Sequence, residues 1–342
     1  MADGILSSTA NSPVSSQPAP RSGIDLRPLT TSELIDRGFS LYRAHFAGFL
    51  LLALLCQTAP LLNQVLVTAF KLDLSQVDVQ QATYASFIKM GINALLFIIS
   101  HIIVFGFEMI ITFYIADAYL GRNPSIRESM YKFATCVGAS FWTCTLNMLL
   151  IALTLIFPVL ALAGPKLYAQ FYPPANLIAL FLFATATFIL FVASLVPVLV
   201  VFMRVILVVP ALALEKFSGW KAIKRSSSLV RYDPGLGFFY WGEMRLSFLL
   251  LPLFIIELLI LSLTSLPLII FKISEAMRDG FGGELAPPPD STMILSQILT
   301  FLGISLILPL YPIATTLFYY DIRIRREGFD LEIMAQQLGE AP

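Results

Sequence analysis

The sequence predicts an all-α integral membrane protein with six transmembrane helices, organised as three helix hairpins that each follow a short, basic, amphipathic interfacial helix. Three observations carry that prediction: composition, the spacing of the apolar runs, and the alternation of basic residues between them. The 342-residue chain is 57% hydrophobic and only 13% charged, with a mean hydropathy of +0.81. Soluble domains run roughly 45–50% apolar and about 25% charged, so the excess apolar surface belongs in lipid.

Residues 1–29 are rich in Ser, Pro, Ala and Thr. Such a tail buries too little apolar surface to offset its ordering entropy, and reads as a disordered segment. No basic stretch leads directly into a short apolar run, which argues against a cleaved signal peptide. The membrane domain is assigned to 30–322, followed by a tail over 323–342.

Six apolar runs are long enough for a hydrocarbon core, which takes about 20 residues. They are Phe46–Phe70, Gly91–Leu120, Thr135–Ala163, Asn176–Leu214, Leu246–Phe271 and Thr292–Tyr320. The fourth is too long to lie wholly in lipid and contains Pro197 and Pro210, so a tilt or a proline kink is expected. The segments before the first span, after the second, after the fourth and after the sixth together hold 15 Lys and Arg, against 5 in the alternate segments. Cytoplasmic segments carry the basic excess. The expected location is therefore the inner (cytoplasmic) membrane, multi-pass, with both termini cytoplasmic.

The basic stretches before the odd-numbered spans resemble one another. Leu34–Arg43 aligned on Ala222–Arg231 shares Ile35/Ile223, Arg37/Arg225, Ser40/Ser228, Leu41/Leu229 and Arg43/Arg231. Ser129–Lys132 is a weaker middle copy. Each stretch has helix-start chemistry: Thr30 with Glu33 and Ser125 with Glu128 as capping boxes, and Ser218 as a third cap. The ends of the second and sixth spans also agree, Thr112–Asp117 with Thr316–Asp321. All three units start from the same side, so the repeat is parallel rather than inverted.

Four intramembrane polar residues form the candidate site: His101 and Glu108 in the second span, Arg204 in the fourth and Glu257 in the fifth. Counted from Asp117, Glu215 and Leu246, the three charged groups lie 9, 11 and 11 residues inside. At about 1.5 Å per residue that is roughly 14–17 Å deep. A charge there costs about 2.5–3.5 kcal/mol even on the insertion scale. One reading is an interhelical ion pair of Arg204 with Glu108 or Glu257 that fixes packing, preferred because the charges would cancel. The other is a path for a proton, ion or substrate.

On the cytoplasmic side, Arg37, Arg43, Lys221, Lys224, Arg225 and Arg231 are candidate contacts for anionic lipid headgroups. The two histidines, His45 and His101, are far apart in sequence, and the three cysteines lie in apolar runs. That pattern implies neither a metal site nor a cofactor. Nucleotide loops, zinc-protease helices and nucleophile elbows are missing, and the zero formal charge implies no nucleic-acid partner.

Three stretches carry a family resemblance: Arg27-Pro-Leu with Glu33-Leu-Ile-Asp36-Arg37, Arg204–Glu215 continuing through Trp220–Arg231, and Leu317–Glu332. Together they resemble the bacterial glycerophosphoryl diester phosphodiesterase membrane-domain-like family. The resemblance implies a multi-helix membrane domain without the soluble catalytic barrel, and it transfers no catalytic residue. The expected role is non-catalytic: organising, docking or regulating at the cytoplasmic face with anionic-lipid contact. The alternative is a transporter or channel built on the Glu/Arg cluster.

The charge count predicts the outcome of cysteine labelling. Cysteines placed at Gln80, Ala169 and Gly283 react with an impermeant thiol reagent in intact cells, and those at Ser227 and Gln336 react only after permeabilisation. Labelling of Ser227 from outside reverses the orientation.

Overall fold

The computed structural model describes residues 27–69, 84–171, 177–231, 241–279, 288–329 and 331. Most of both tails, the aromatic run Phe238–Tyr240 and the Gly282-Gly283 turn lie outside the described residues. Every regular element among the described residues is helical: α1 (Thr31–Ala44), α2 (Phe46–Ala69), α3 (Tyr84–Tyr119), α4 (Ile126–Ala134), α5 (Val137–Phe171), α6 (Leu177–Val205), α7 (Val208–Glu215), α8 (Trp220–Val230), α9 (Gly242–Thr264), α10 (Leu266–Asp279), α11 (Asp290–Ile307) and α12 (Leu310–Glu327). Six helical stretches are long and apolar enough to cross a membrane. The chain is an all-α polytopic membrane protein.

The short helices α1, α4 and α8 precede the hairpins α2–α3, α5–α6 and α9–α11. The hairpins pack in cyclic order, α3 on α5, α6 on α9 and α11 back on α2. Fully buried side chains gather at the end that carries the short helices, from Phe49, Ile111 and Ile115 to Leu207, Leu229, Leu246 and Tyr319. The opposite halves of the hairpins expose large apolar residues such as Phe181, Leu182, Phe188 and Ile189. Those side chains suit lipid, which is as apolar as they are.

The amphipathic faces of the short helices turn inward. α1 buries Leu34 and Gly38, and α8 buries Ala222, Ile223, Ser226, Leu229 and Val230. This corrects the expectation of apolar faces sunk in lipid: they pack on protein, α1 against α12 and α9, and α8 against α6, α7 and α12.

Of the three expected caps, one forms. The Thr30 hydroxyl accepts from the Glu33 N–H at 3.3 Å, and the Glu33 carboxylate accepts from the Thr30 N–H at 2.7 Å. Bonds from the Thr30 backbone and hydroxyl and from Arg27 hold the Glu33 carboxyl at about 2. The cap is therefore intact above the ordinary carboxylate range and is lost as pH falls towards that value. Ser125 makes no side-chain cap bond; its carbonyl instead accepts from the Ser129 hydroxyl at 3.0 Å. At the third start the N-cap is Gly219 rather than Ser218, at φ 58°. A Cβ there would meet the Trp142 ring at 2.7 Å, so both backbone and space require glycine.

Three of the apolar runs are interrupted: the fourth, where the sequence already asks for a tilt or a proline kink, the fifth, and the sixth, at Leu308 and Pro309 between α11 and α12. The fourth turns at Ile206 and Leu207 between α6 and α7. Pro210 lacks the N–H that would bond the Ile206 carbonyl. Ser226 bridges the break, donating to the Arg204 carbonyl at 2.6 Å and accepting from the Leu207 N–H at 3.2 Å. Its side chain is fully buried. The fifth span starts at Gly242 and turns at Ser265, ahead of Pro267. There α11 approaches closely: Ser296 donates to the Thr264 carbonyl at 3.1 Å, and a Cβ on Gly303 would meet Ile260 Cγ2 at 2.6 Å.

Ser226→Ala strands a buried N–H and removes a donor from a buried carbonyl. It should lower the unfolding free energy by about 1–3 kcal/mol, read as a lower midpoint in detergent, whereas Ser228→Ala, at an exposed position, should leave it within experimental scatter.

Candidate functional site

Two places matter for function: an ion-pair network where the short helices meet α12, and a largely apolar cavity deeper in the bundle with polar side chains in its wall.

The network is built on three acids, one closing each hairpin. Asp117, at the end of α3, is 2.7 Å from Lys132 of α4 and 3.8 Å from Arg122. Burial opposes the Lys132 charge, but bonds and charges from Asp117 and Glu128 outweigh it and raise the ammonium pKa. Glu215, the last residue of α7, accepts two bonds from Arg225 of α8 at 2.7 and 2.8 Å and a short one from the Tyr319 hydroxyl. Arg225 also reaches Glu327 at 2.6 Å. The bonds from Glu215 outweigh desolvation and, with those from Glu327, push the guanidinium further above its ordinary value. Asp321, on α12 and 1% exposed, accepts from Arg245 of α9 at 2.8 Å, from Arg325 at 2.9 Å and from the Leu29 N–H at 2.7 Å. The Leu29 carbonyl in turn accepts from Arg325 at 2.6 Å and Arg245 at 3.2 Å.

Two of these acids were visible in the sequence only as matching span ends, Thr112–Asp117 and Thr316–Asp321. Both threonines are fully buried and both aspartates are ion-paired. Arg323 and Arg326 complete the junction. Arg323 lies 4.2 Å over the Phe329 ring, and Arg326 donates to the carbonyls of Ser228 and Arg231 at 3.0 and 2.9 Å. The latter satisfies carbonyls that a helix end leaves unpaired.

The headgroup candidates divide accordingly. Arg225 is committed to Glu215 and Glu327, which removes it from any lipid-facing set. Arg37 stacks at 4.8 Å over Tyr119. Arg43, Lys221, Lys224 and Arg231 are exposed and make no ion pair among the described residues.

The expected intramembrane cluster does not assemble as a unit. Arg204 Nε is 3.3 Å from Glu243, in the first turn of α9, and its side chain is 45% exposed. The pairing with Glu108 or Glu257 is therefore corrected. The depth count failed because the chain turns at Ile206 and Leu207, so residues 208–215 do not continue α6. Glu257 accepts a short bond from the Tyr311 hydroxyl. His101 stacks on Phe97, with ring centroids 6.2 Å apart.

His101 and Glu108 line one cavity of about 250 Å³, together with Thr112, Asn147, Tyr311 and Thr315 among its polar residues. His101 also lines a neighbouring cavity with Asn63, Gln64, Asn93 and Ser100. Glu108 makes no ion pair and its carboxyl no hydrogen bond among the described residues. The Asn147 amide oxygen is buried without a partner. No group of three metal-ligating side chains occurs among the described residues.

Asp321→Leu leaves Arg245, 11% exposed, facing no carboxylate. Breaking a buried pair costs about 3–5 kcal/mol, so a large fall in the detergent melting midpoint is expected. Changing Arg245 to Met as well should recover part of it; no recovery would mean that Asp321 acts chiefly through Leu29 and Arg325.

No protein-family model, curated protein or solved structure matches this chain.

Proposed function

We propose that this polytopic membrane protein has a non-catalytic role, organising the cytoplasmic face of the inner membrane and holding anionic lipid there, with both termini cytoplasmic. The sequence likeness to the glycerophosphoryl diester phosphodiesterase membrane-domain family belongs to the same proposal.

One observation carries it. At the junction of α7 and α8, Lys216, Phe217, Trp220, Lys221 and Lys224 are all exposed, Trp220 by 62%. The three lysines make no ion pair among the described residues. Nearby Arg225 is already neutralised by Glu215 and Glu327, so these two carboxylates are not left to pair with the lysines. Aromatic rings beside lysines suit the headgroup layer, where each cation is worth about 1 kcal/mol against an anionic leaflet. The rigid ion-pair network behind α8 holds the edge in place and leaves those charges free for lipid. The transporter or channel reading loses its arginine, since Arg204 pairs with Glu243, and is left with the cavity around Glu108.

Lys216, Lys221 and Lys224 changed together to Gln should reduce anionic lipid retained through purification, counted by native mass spectrometry. Insertion and the melting midpoint should be kept, because none of the three supports the fold. Equal lipid retention in both forms overturns the proposal, and Arg225→Gln, which breaks the network instead, should lower the midpoint.

A further inference from the structure

The cavity around Glu108 combines features that no structural role in the bundle uses. Its carboxyl is about nine residues inside the end of α3 at Asp117, hence roughly 14 Å deep. At that depth an acidic side chain ordinarily turns to a partner. Glu257 has found Tyr311 and Arg204 has found Glu243, but the Glu108 carboxyl has neither ion pair nor hydrogen bond among the described residues. The second unused acceptor, the buried Asn147 amide oxygen, lines the same cavity. An unpaired buried acceptor such as Asn147 Oδ1 costs about 1–3 kcal/mol, and beside a half-buried carboxyl without a partner it marks a place where a donor is missing.

The walls point the same way. Two of the three interrupted spans border the cavity: the fourth, through Val205, Ile206 and Val209 at the α6–α7 break, and the sixth, through Tyr311, Pro312 and Thr315 just past the turn between α11 and α12. Pro210 removes the N–H that would bond the carbonyl of Ile206, a residue of the cavity wall. Broken helices at membrane depth are tolerated where the freed backbone lines a cavity, and in transport proteins such breaks form the substrate sites. Here the Ile206 carbonyl at the α6–α7 break adds an acceptor to a wall that already holds a carboxyl and an amide side chain.

We infer that this cavity binds a monovalent organic ammonium group, with Glu108 as its counter-charge and Asn147 accepting one of its N–H or polarised C–H groups. A hard metal ion fits poorly, because sodium-like and divalent cations want about six oxygen ligands and the charged donors here are one carboxylate beside one imidazole. An anion is disfavoured by Glu108. A neutral polar ligand leaves the carboxylate uncompensated. The remaining wall, Phe105, Ile151 and Phe202, suits the alkyl or aryl substituents of an organic cation, and aromatic faces attract cations directly. About 250 Å³ holds a group of several heavy atoms. The ammonium comes either from a soluble amine or from the headgroup of a lipid such as phosphatidylethanolamine.

The test uses the full-length protein in nanodiscs of phosphatidylglycerol alone, with trimethylphenylammonium as probe and neutral tert-butylbenzene as its uncharged isostere. Titration calorimetry should show saturable binding of the cation, and Glu108→Gln should weaken it by at least roughly tenfold, the loss of one charge-assisted contact. The isostere should bind more weakly and equally to both forms. Asn147→Leu, which fills the space beside Glu108 without touching the acid, should also weaken the cation. Arg204→Gln, outside the cavity, should leave it unchanged. Each variant's melting midpoint is measured alongside, so that misfolding is not read as lost binding. Repeating the titration with phosphatidylethanolamine in the disc separates the sources: competition assigns the site to a lipid headgroup, and equal affinity to a soluble amine. No saturable binding to the wild type, unchanged binding to Glu108→Gln, or an isostere as strong as the cation overturns the inference.

Discussion

Asp321 sits where the last helix meets the first. Its carboxylate is almost wholly buried, and it joins three elements that are far apart in the chain: α9 through Arg245, its own helix through Arg325, and the segment leading into α1 through the Leu29 N–H. A buried carboxylate with three donors is tolerable where a bare one is not. Once it is satisfied, the packed residues around it, Leu317 to Tyr320, Ile313 and Leu246, have a fixed frame. The rest of the core end is arranged about that junction.

The same device recurs around the bundle. Asp117 ties the end of the first hairpin to α4, and Glu215 ties the end of the second to α8. Asp321 ties the end of the third back to the lead-in of α1. Each hairpin therefore hands over to the next through an acid, and the third closes on the first, as the helix neighbours also do. Polar links of this kind suit a membrane setting, since apolar side chains gain little from one another when lipid is equally apolar. They explain how the buried residues can concentrate at one end while the far halves of the hairpins touch mostly their own partners.

Much of this architecture was legible in the sequence and some was not. The spans were readable because an apolar run of membrane length can satisfy its surface in few places besides lipid. The matching of Asp117 with Asp321 was readable as a similarity of register, though its meaning, a buried ion pair at each hairpin end, needed the partners. Arg204 was misplaced because depth counting assumes a continuous helix, and Pro210 marks a break without saying on which residue the chain turns. Ser226 carries no sequence signal for a related reason: its role depends on carbonyl and amide groups some twenty residues earlier, freed by that same break. Ser125 and Ser218 looked like caps by type and spacing, as Thr30 did, yet only Thr30 has the geometry. Asn147 and Tyr311 carry no sequence signal as cavity residues, since single polar side chains in apolar runs are common and only packing says which ones meet.

The link between Leu29 and Asp321 spans 292 positions. During synthesis at about 5–20 residues per second the first of these residues waits roughly 15 to 60 s before the second exists. For most of that interval the first hairpin is already made, while Arg245 arrives late and its carboxylate later still. The assembled core is thus a product of the last helix, and the partly made chain is an open arc of hairpins whose final neighbour is missing. A ribosome that stalls before α12 releases a chain with the membrane helices α2 to α11 but without the junction that organises them, a form that quality-control proteases would meet as exposed polar groups at the membrane surface.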